Sequence, residues 1–134
     1  MSALSTYLEN KLVDHVLRDT AYTTPGTSVY VGLVKYYIAD TLEAGTLTEE
    51  ASGGSYARVQ VTAWDAASNG ATANTSAITF PTATGDWGMI SGVIISDAAS
   101  AGNVLLHGSL TTARDVKNGD VFKFNAGDLD VTFA

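Results

Sequence analysis

The sequence predicts a mainly β fold, a single antiparallel β-sandwich or barrel of about seven to eight strands with one amphipathic α-helix at its N-terminal end. Three observations carry this reading. From Thr27 onward short apolar runs are separated by Gly, Asn, Asp and Ser, at the spacing of all-β sandwiches and barrels. Within several runs apolar and polar residues alternate with the period of two that a half-buried strand requires. Ahead of them stands TYLENKLVDHVLRDT, the one stretch with a helical period.

The helix is expected over residues 5–19. Thr6 is placed as its N-cap, with Glu9 three residues on as the capping-box partner that satisfies a second orphaned amide. Leu8, Leu12, Val13, Val16 and Leu17 fall on one broad face at 100° per residue, and Asn10, Lys11, Asp14 and Arg18 on the other. Asp14 and Arg18 have the i,i+4 spacing of a favourable pair. A helix of this length is marginal alone in water, so its apolar face must lie on its own sheet or on a partner. The five apolar residues Leu8, Leu12, Val13, Val16 and Leu17 are therefore the candidate partner-binding set.

Residues 20–27 (TAYTTPGT) read as a linker with a Pro25-Gly26 turn, and residues 28–134 as the β domain, within one domain spanning 1–134. SVYVGLVKYYI carries bulk on both faces, as a central strand does. Residues 39–55 are polar, contain three glycines and are expected to form a surface excursion. ARVQVTAW (57–64) alternates, with Val59, Val61 and Ala63 on one side and Arg58, Gln60, Thr62 and Trp64 on the other. Asn69-Gly70 is the commonest chemistry for a tight hairpin bend. AITF (77–80) ends at Pro81. WGMISGVIIS (87–96) is a longer apolar strand whose Gly92 marks a bulge or a close backbone approach. NVLLHGSL (103–110) follows, and DVFKF (120–124) and LDVTF (129–133) are expected to close a terminal hairpin.

Chain length permits one real core, burying roughly two thirds of the unfolded surface. Fourteen acids against seven bases give a net charge of −7, and no two bases are adjacent. Clustered Lys and Arg are what a phosphate backbone or an anionic membrane requires, so neither nucleic acid nor a membrane is an expected partner. The chain contains no cysteine, which excludes disulfides and thiolate metal sites. No apolar run approaches the ~20 residues of a membrane span, and the N-terminus has no secretion signal, so synthesis in the cytoplasm of the producing cell is expected.

Chemistry-bearing residues are few. His15 lies on the helix between Lys11 and Asp19 at i±4, and His107 on a strand face opposite Leu106, where a half-buried ring donating to a carbonyl is expected. Asp128 and Asp130 share a strand face, and Glu49, Glu50 and Asp120 lie in loops. Such acids can serve acid/base chemistry or Ca²⁺, but hairpin acids more often block edge-to-edge pairing. Trp64, Trp87 and the six tyrosines, Tyr30 and Tyr36 foremost, are the candidates for a sugar-stacking platform, against the ordinary role of aromatics in cores and cross-strand pairs. Asn74-Thr75-Ser76 matches a glycosylation sequon, without a secretion signal to give it meaning. No nucleotide-binding, nucleophile-elbow or zinc-protease motif occurs. No catalytic residue, metal or cofactor is expected, and the protein reads as non-enzymatic.

Taken in order, YLENKLVDHVL, TSVYVGL, SYARVQVTAWDAASNGATANTSAITFP, WGMISGVIISDA, GNVLLHGSL and NGDVFKFNAGDLDVTF give the chain a resemblance to a family of small tailed-bacteriophage structural proteins, commonly labelled tail-fibre or tail proteins. The resemblance covers nearly the whole chain, with residues 39–55 contributing least. It implies a virion component, with other phage structural proteins (major capsid or tail subunits) as partners and a homo-oligomeric state. A chain this short has no room for a long trimeric shaft, so the expected role is a small capsid decoration or cement protein on the assembled shell. The alternatives are a structural protein of the tail or tail fibre, or a carbohydrate-binding module for host-surface glycan.

Overall fold

Two long antiparallel strands organise the fold. The computed structural model describes residues 3–133. In chain order the elements are β1 (Ala3–Leu4), α1 (Thr6–Leu17), β2 (Tyr30–Val34), α2 (Ala39–Glu43), β3 (Val59–Gln60), β4 (Ala71–Ala73), β5 (Ile78–Thr79), β6 (Gly88–Ser96), β7 (Val104–Val116), β8 (Lys123–Phe124) and β9 (Asp130–Thr132). The largest sheet is antiparallel with the order β1-β7-β6-β2-β3, and the pairs β4-β9 and β5-β8 form two small sheets. The architecture is mainly β and sandwich-like. None of these sheets closes into a barrel.

The central strand is as expected: β2 pairs with β6 on one side and β3 on the other, and Val31, Leu33 and Val34 are completely buried. Asn69 and Gly70 both have positive φ, 53° and 76°, and Ser68 and Ala71 exchange backbone hydrogen bonds of 3.0 Å across them. This is the tight hairpin bend that the dipeptide favours. At Gly92 the β6–β7 register breaks, β6 advancing from Ile90 to Gly92 while β7 runs from Arg114 back to Ser109. A Cβ there would stand 2.6 Å from Val34 Cγ2, so the position is both a bulge and a close approach. A second irregularity between Ile95 and Ser96 makes Leu105 the extra residue, and Leu105 and Leu106 both enter the main core.

That core holds an aromatic cluster. Phe122 and Phe124 lie 5.2 Å apart between ring centroids, Phe80 meets Phe122 edge-on at 5.8 Å, and Tyr56 meets Trp87 edge-on at 5.3 Å. These are the tilted geometries that ring quadrupoles prefer. A second, smaller cluster on the other face of the large sheet joins Val34, Leu42, Ile94 and Val104.

Several local expectations are corrected. Ser5, not Thr6, is the N-cap of α1: its Oγ accepts from Leu8 N at 3.3 Å. The 39–55 stretch lies at the surface as expected, but it contains α2 and buries Leu42 and Ala51. Of residues 57–64 only Val59–Gln60 are strand, and Arg58, placed by alternation on the same side as Gln60, is buried while Gln60 is exposed. The last two runs do not form a hairpin with each other. β8 pairs with β5, and β9 with β4, because Phe122 and Phe124 are drawn to Phe80 in the core.

Candidate interaction surface

The first turn of α1 is stitched to β7. Ser5 is fully buried; its backbone N donates to Leu105 O at 2.9 Å, and its Oγ donates to Val104 O while capping the helix. Leu8 enters the main core and Leu12 packs partly against it. Beyond Leu12 the helix leaves the body of the protein. Val13, Val16 and Leu17 are 53%, 73% and 77% exposed. The Arg18 guanidinium donates to Asp14 at 3.1 Å on the solvated flank, and Asp19, at φ 52°, follows the C-cap. The five predicted residues are thus divided: Leu8 is core, Leu12 bridges, and the last three stand free.

Beside the helix opens an apolar cleft of about 250 Å³. Leu12, Tyr22, Pro25, Trp64, Ile95 and Phe133 are among its lining. Phe133 is itself 44% exposed. Leu12 borders the cleft and Val16, four residues on, continues its stripe, so cleft and helix end form one apolar surface. The linker takes part in it, since Tyr22 and Val29 pack against the main core. Sequence reading named Trp64 and Tyr22 only among the aromatics of a possible sugar platform, and did not single out Pro25 or Phe133 as surface residues. They are distant in the chain and fall on no shared period.

Away from this surface, several polar groups are committed to structure. Arg58 Nε and Nη2 donate to Glu50 at 2.7 and 2.8 Å, and Nη1 donates to Ser96 Oγ, Ala98 O and Ala101 O. The hydrogen bond to Glu50 raises the Arg58 pKa further, as a bidentate pair does. The Tyr56 hydroxyl donates to Glu50 Oε2 at 2.8 Å and accepts from Leu33 N. Burial, and then the Glu50 charge, push its pKa far up. Asp120 and Asp128 each accept a backbone N–H three residues upstream, from Lys117 and Asn125. Asn74, the sequon asparagine, is 1% exposed; it donates to Ser76 O and Asn125 O and accepts from Leu129 N.

The predicted aromatic platform does not assemble. Trp87 is sealed in the core, with Nε1 donating to Gly54 O at 2.9 Å, while Trp64 faces the cleft. Tyr36 is 66% exposed. His15 is exposed on α1. His107 is buried, and its Nδ1 meets the Tyr37 hydroxyl at 2.9 Å in place of the expected carbonyl. Among the described residues no three His, Asp or Glu side chains converge as a metal site, and no helix is long and apolar enough to cross a membrane.

A protein-family model described as podophage GP4 fiber I protein gp80 matches residues 3–132. The chain belongs to that family. Its members are phage fibre proteins by description, so the resemblance to tailed-phage structural proteins is correct, and of the roles it suggested the fibre has the support. No curated protein matches the chain.

Proposed function

We propose that this chain is a non-enzymatic structural subunit of the phage fibre, held to neighbouring virion proteins by the apolar surface of α1 and its adjoining cleft. The observation that carries this reading is the free end of α1. Three large apolar side chains, Val13, Val16 and Leu17, are each more than half exposed on a helix whose first turn is firmly anchored. A contiguous apolar surface of this kind marks an interaction site, and helix faces presenting residues at i, i+3 and i+4 are a recurring docking device. The partners are other structural proteins of the particle, including further copies of this chain in a homo-oligomer. The family description favours the fibre over capsid decoration.

Particles assembled with the Val16→Asp/Leu17→Asp variant test the proposal. The expected result is a folded protein missing from purified virions, with the unmodified chain present at a few tens of copies or fewer and visible at a fibre in a particle map. Hundreds of copies on the shell would overturn the fibre placement in favour of decoration. Full incorporation of the double variant would overturn the docking role of α1.

A further inference from the structure

His107 is the one buried side chain among the described residues whose polar atom, Nε2, has no hydrogen-bond partner. It sits on β7, 2% exposed, on the face of the large sheet that α2 covers. Its ring lies 5.8 Å from that of Tyr37, tilted by 39°, with the Tyr37 hydroxyl at Nδ1. Tyr37 opens the segment that carries α2.

That segment is built as a flap. Its base is closed by Lys35 N donating to Glu49 O at 2.8 Å and by the Val34–Glu50 bridge, and beyond the base Glu50 is fixed by Arg58. Between these points α2 has five residues, no side-chain cap at Ile38 and one buried residue, Leu42. Gly45 follows at φ 83°. What seats the flap is Leu42 in the small cluster, Leu47 packed beside it, Tyr37 on His107, and Tyr37 N donating to Ser91 Oγ at 2.9 Å. So few buried contacts place it at the low-stability end of the molecule, and the sheet beneath keeps its own ladder when it lifts.

We propose that His107 is an acid-sensitive latch: its neutral ring holds Tyr37 and keeps α2 seated, and its protonation releases the flap and uncovers Val34, Ile94 and Val104. The groups facing the ring are Tyr37, Glu43 from α2 and Glu9 from α1; Asp130 borders a small cavity that His107 also borders. Burial lowers the His107 pKa, and Glu43 and then Glu9 oppose that without reversing it. A proton would place a charge on a ring whose Nε2 has no acceptor, which a buried site resists. The sign follows. With the flap open the ring regains water and titrates near its ordinary value of about 6.5, so protons bind the open form first. The latch is therefore closed above that value and weakens as pH falls toward the lowered folded value.

Amide hydrogen exchange of the full chain between pH 7.5 and 5, corrected for intrinsic rates, tests the latch. Protection over residues 38–46 is expected to fall, by at most about thirtyfold, the ceiling that an open-form value of about 6.5 sets at pH 5, while residues 30–34 and 92–96 stay protected. His107→Gln should remove that pH dependence, and His15→Gln should leave it intact. If His107→Gln does not fold, Tyr37→Phe serves: its flap should be less protected at pH 7.5 and change less on acidification. Flap protection independent of pH, or lost together with that of the sheet, would overturn the latch.

Discussion

The aromatic core and the cleft beside α1 are made of similar side chains and have opposite fates. Phe80, Phe122, Phe124 and Trp87 are at most 8% exposed, enclosed by strands whose neighbouring polar atoms are paired. Leu12, Tyr22, Trp64 and Phe133 stay partly open, and Val16 and Leu17 on the same surface are almost uncovered. Both regions are apolar, so hydrophobicity alone does not separate core from interface. What separates them is closure: β5-β8 and the buried polar anchors seal one region, and no element among the described residues covers the other.

The sharpest way to break this comparison is to open the sealed region. Phe80→Ala is expected to cost about 3–5 kcal/mol of folding stability, read from the shift of a urea unfolding midpoint. A loss under about 1 kcal/mol would mean the cluster repacks freely. Removing the polar anchor is expected to be of similar size. Glu50→Leu leaves the buried Arg58 charge without its carboxylate, a loss of about 3–5 kcal/mol, and the hydroxyl titration of Tyr56, followed by its absorbance, should move down toward the ordinary value. Asn74→Ala leaves the N–H of Leu129 without its acceptor and removes a donor from the carbonyls of Ser76 and Asn125, an expected loss of about 1–3 kcal/mol. The smallest effect belongs to the open surface, where Leu17→Asp should change stability by no more than about 0.5 kcal/mol. A large loss there would show that the helix end is part of the fold after all.

Legibility of the sequence followed the range of the interactions. The Asn69-Gly70 bend and the Gly92 bulge could be read because each rests on the conformational freedom of a residue or two. The helix was legible from its period, although its cap was misplaced by one residue, since Ser5 and Thr6 are chemically equivalent candidates and only contact with Val104 and Leu105 chooses between them. Alternation puts Arg58 on one face with Gln60, a rule that describes a regular strand and fails where the chain leaves the sheet after two residues. Asn74 looked like a sequon because the loop it braces, residues 125–129, lies about fifty positions away.

By itself the sequence determined the β-rich class, the lone amphipathic helix, the tight turns and the scarcity of groups for catalysis, because these depend on local propensity, periodicity and residue inventory. The tertiary structure decided which strands pair, which apolar residues remain uncovered, and that Arg58, Asn74 and His107 are interior, with Glu50 half-buried against Arg58. Those outcomes arise from contacts between residues tens of positions apart, where burial and pairing are settled only once the chain has closed on itself.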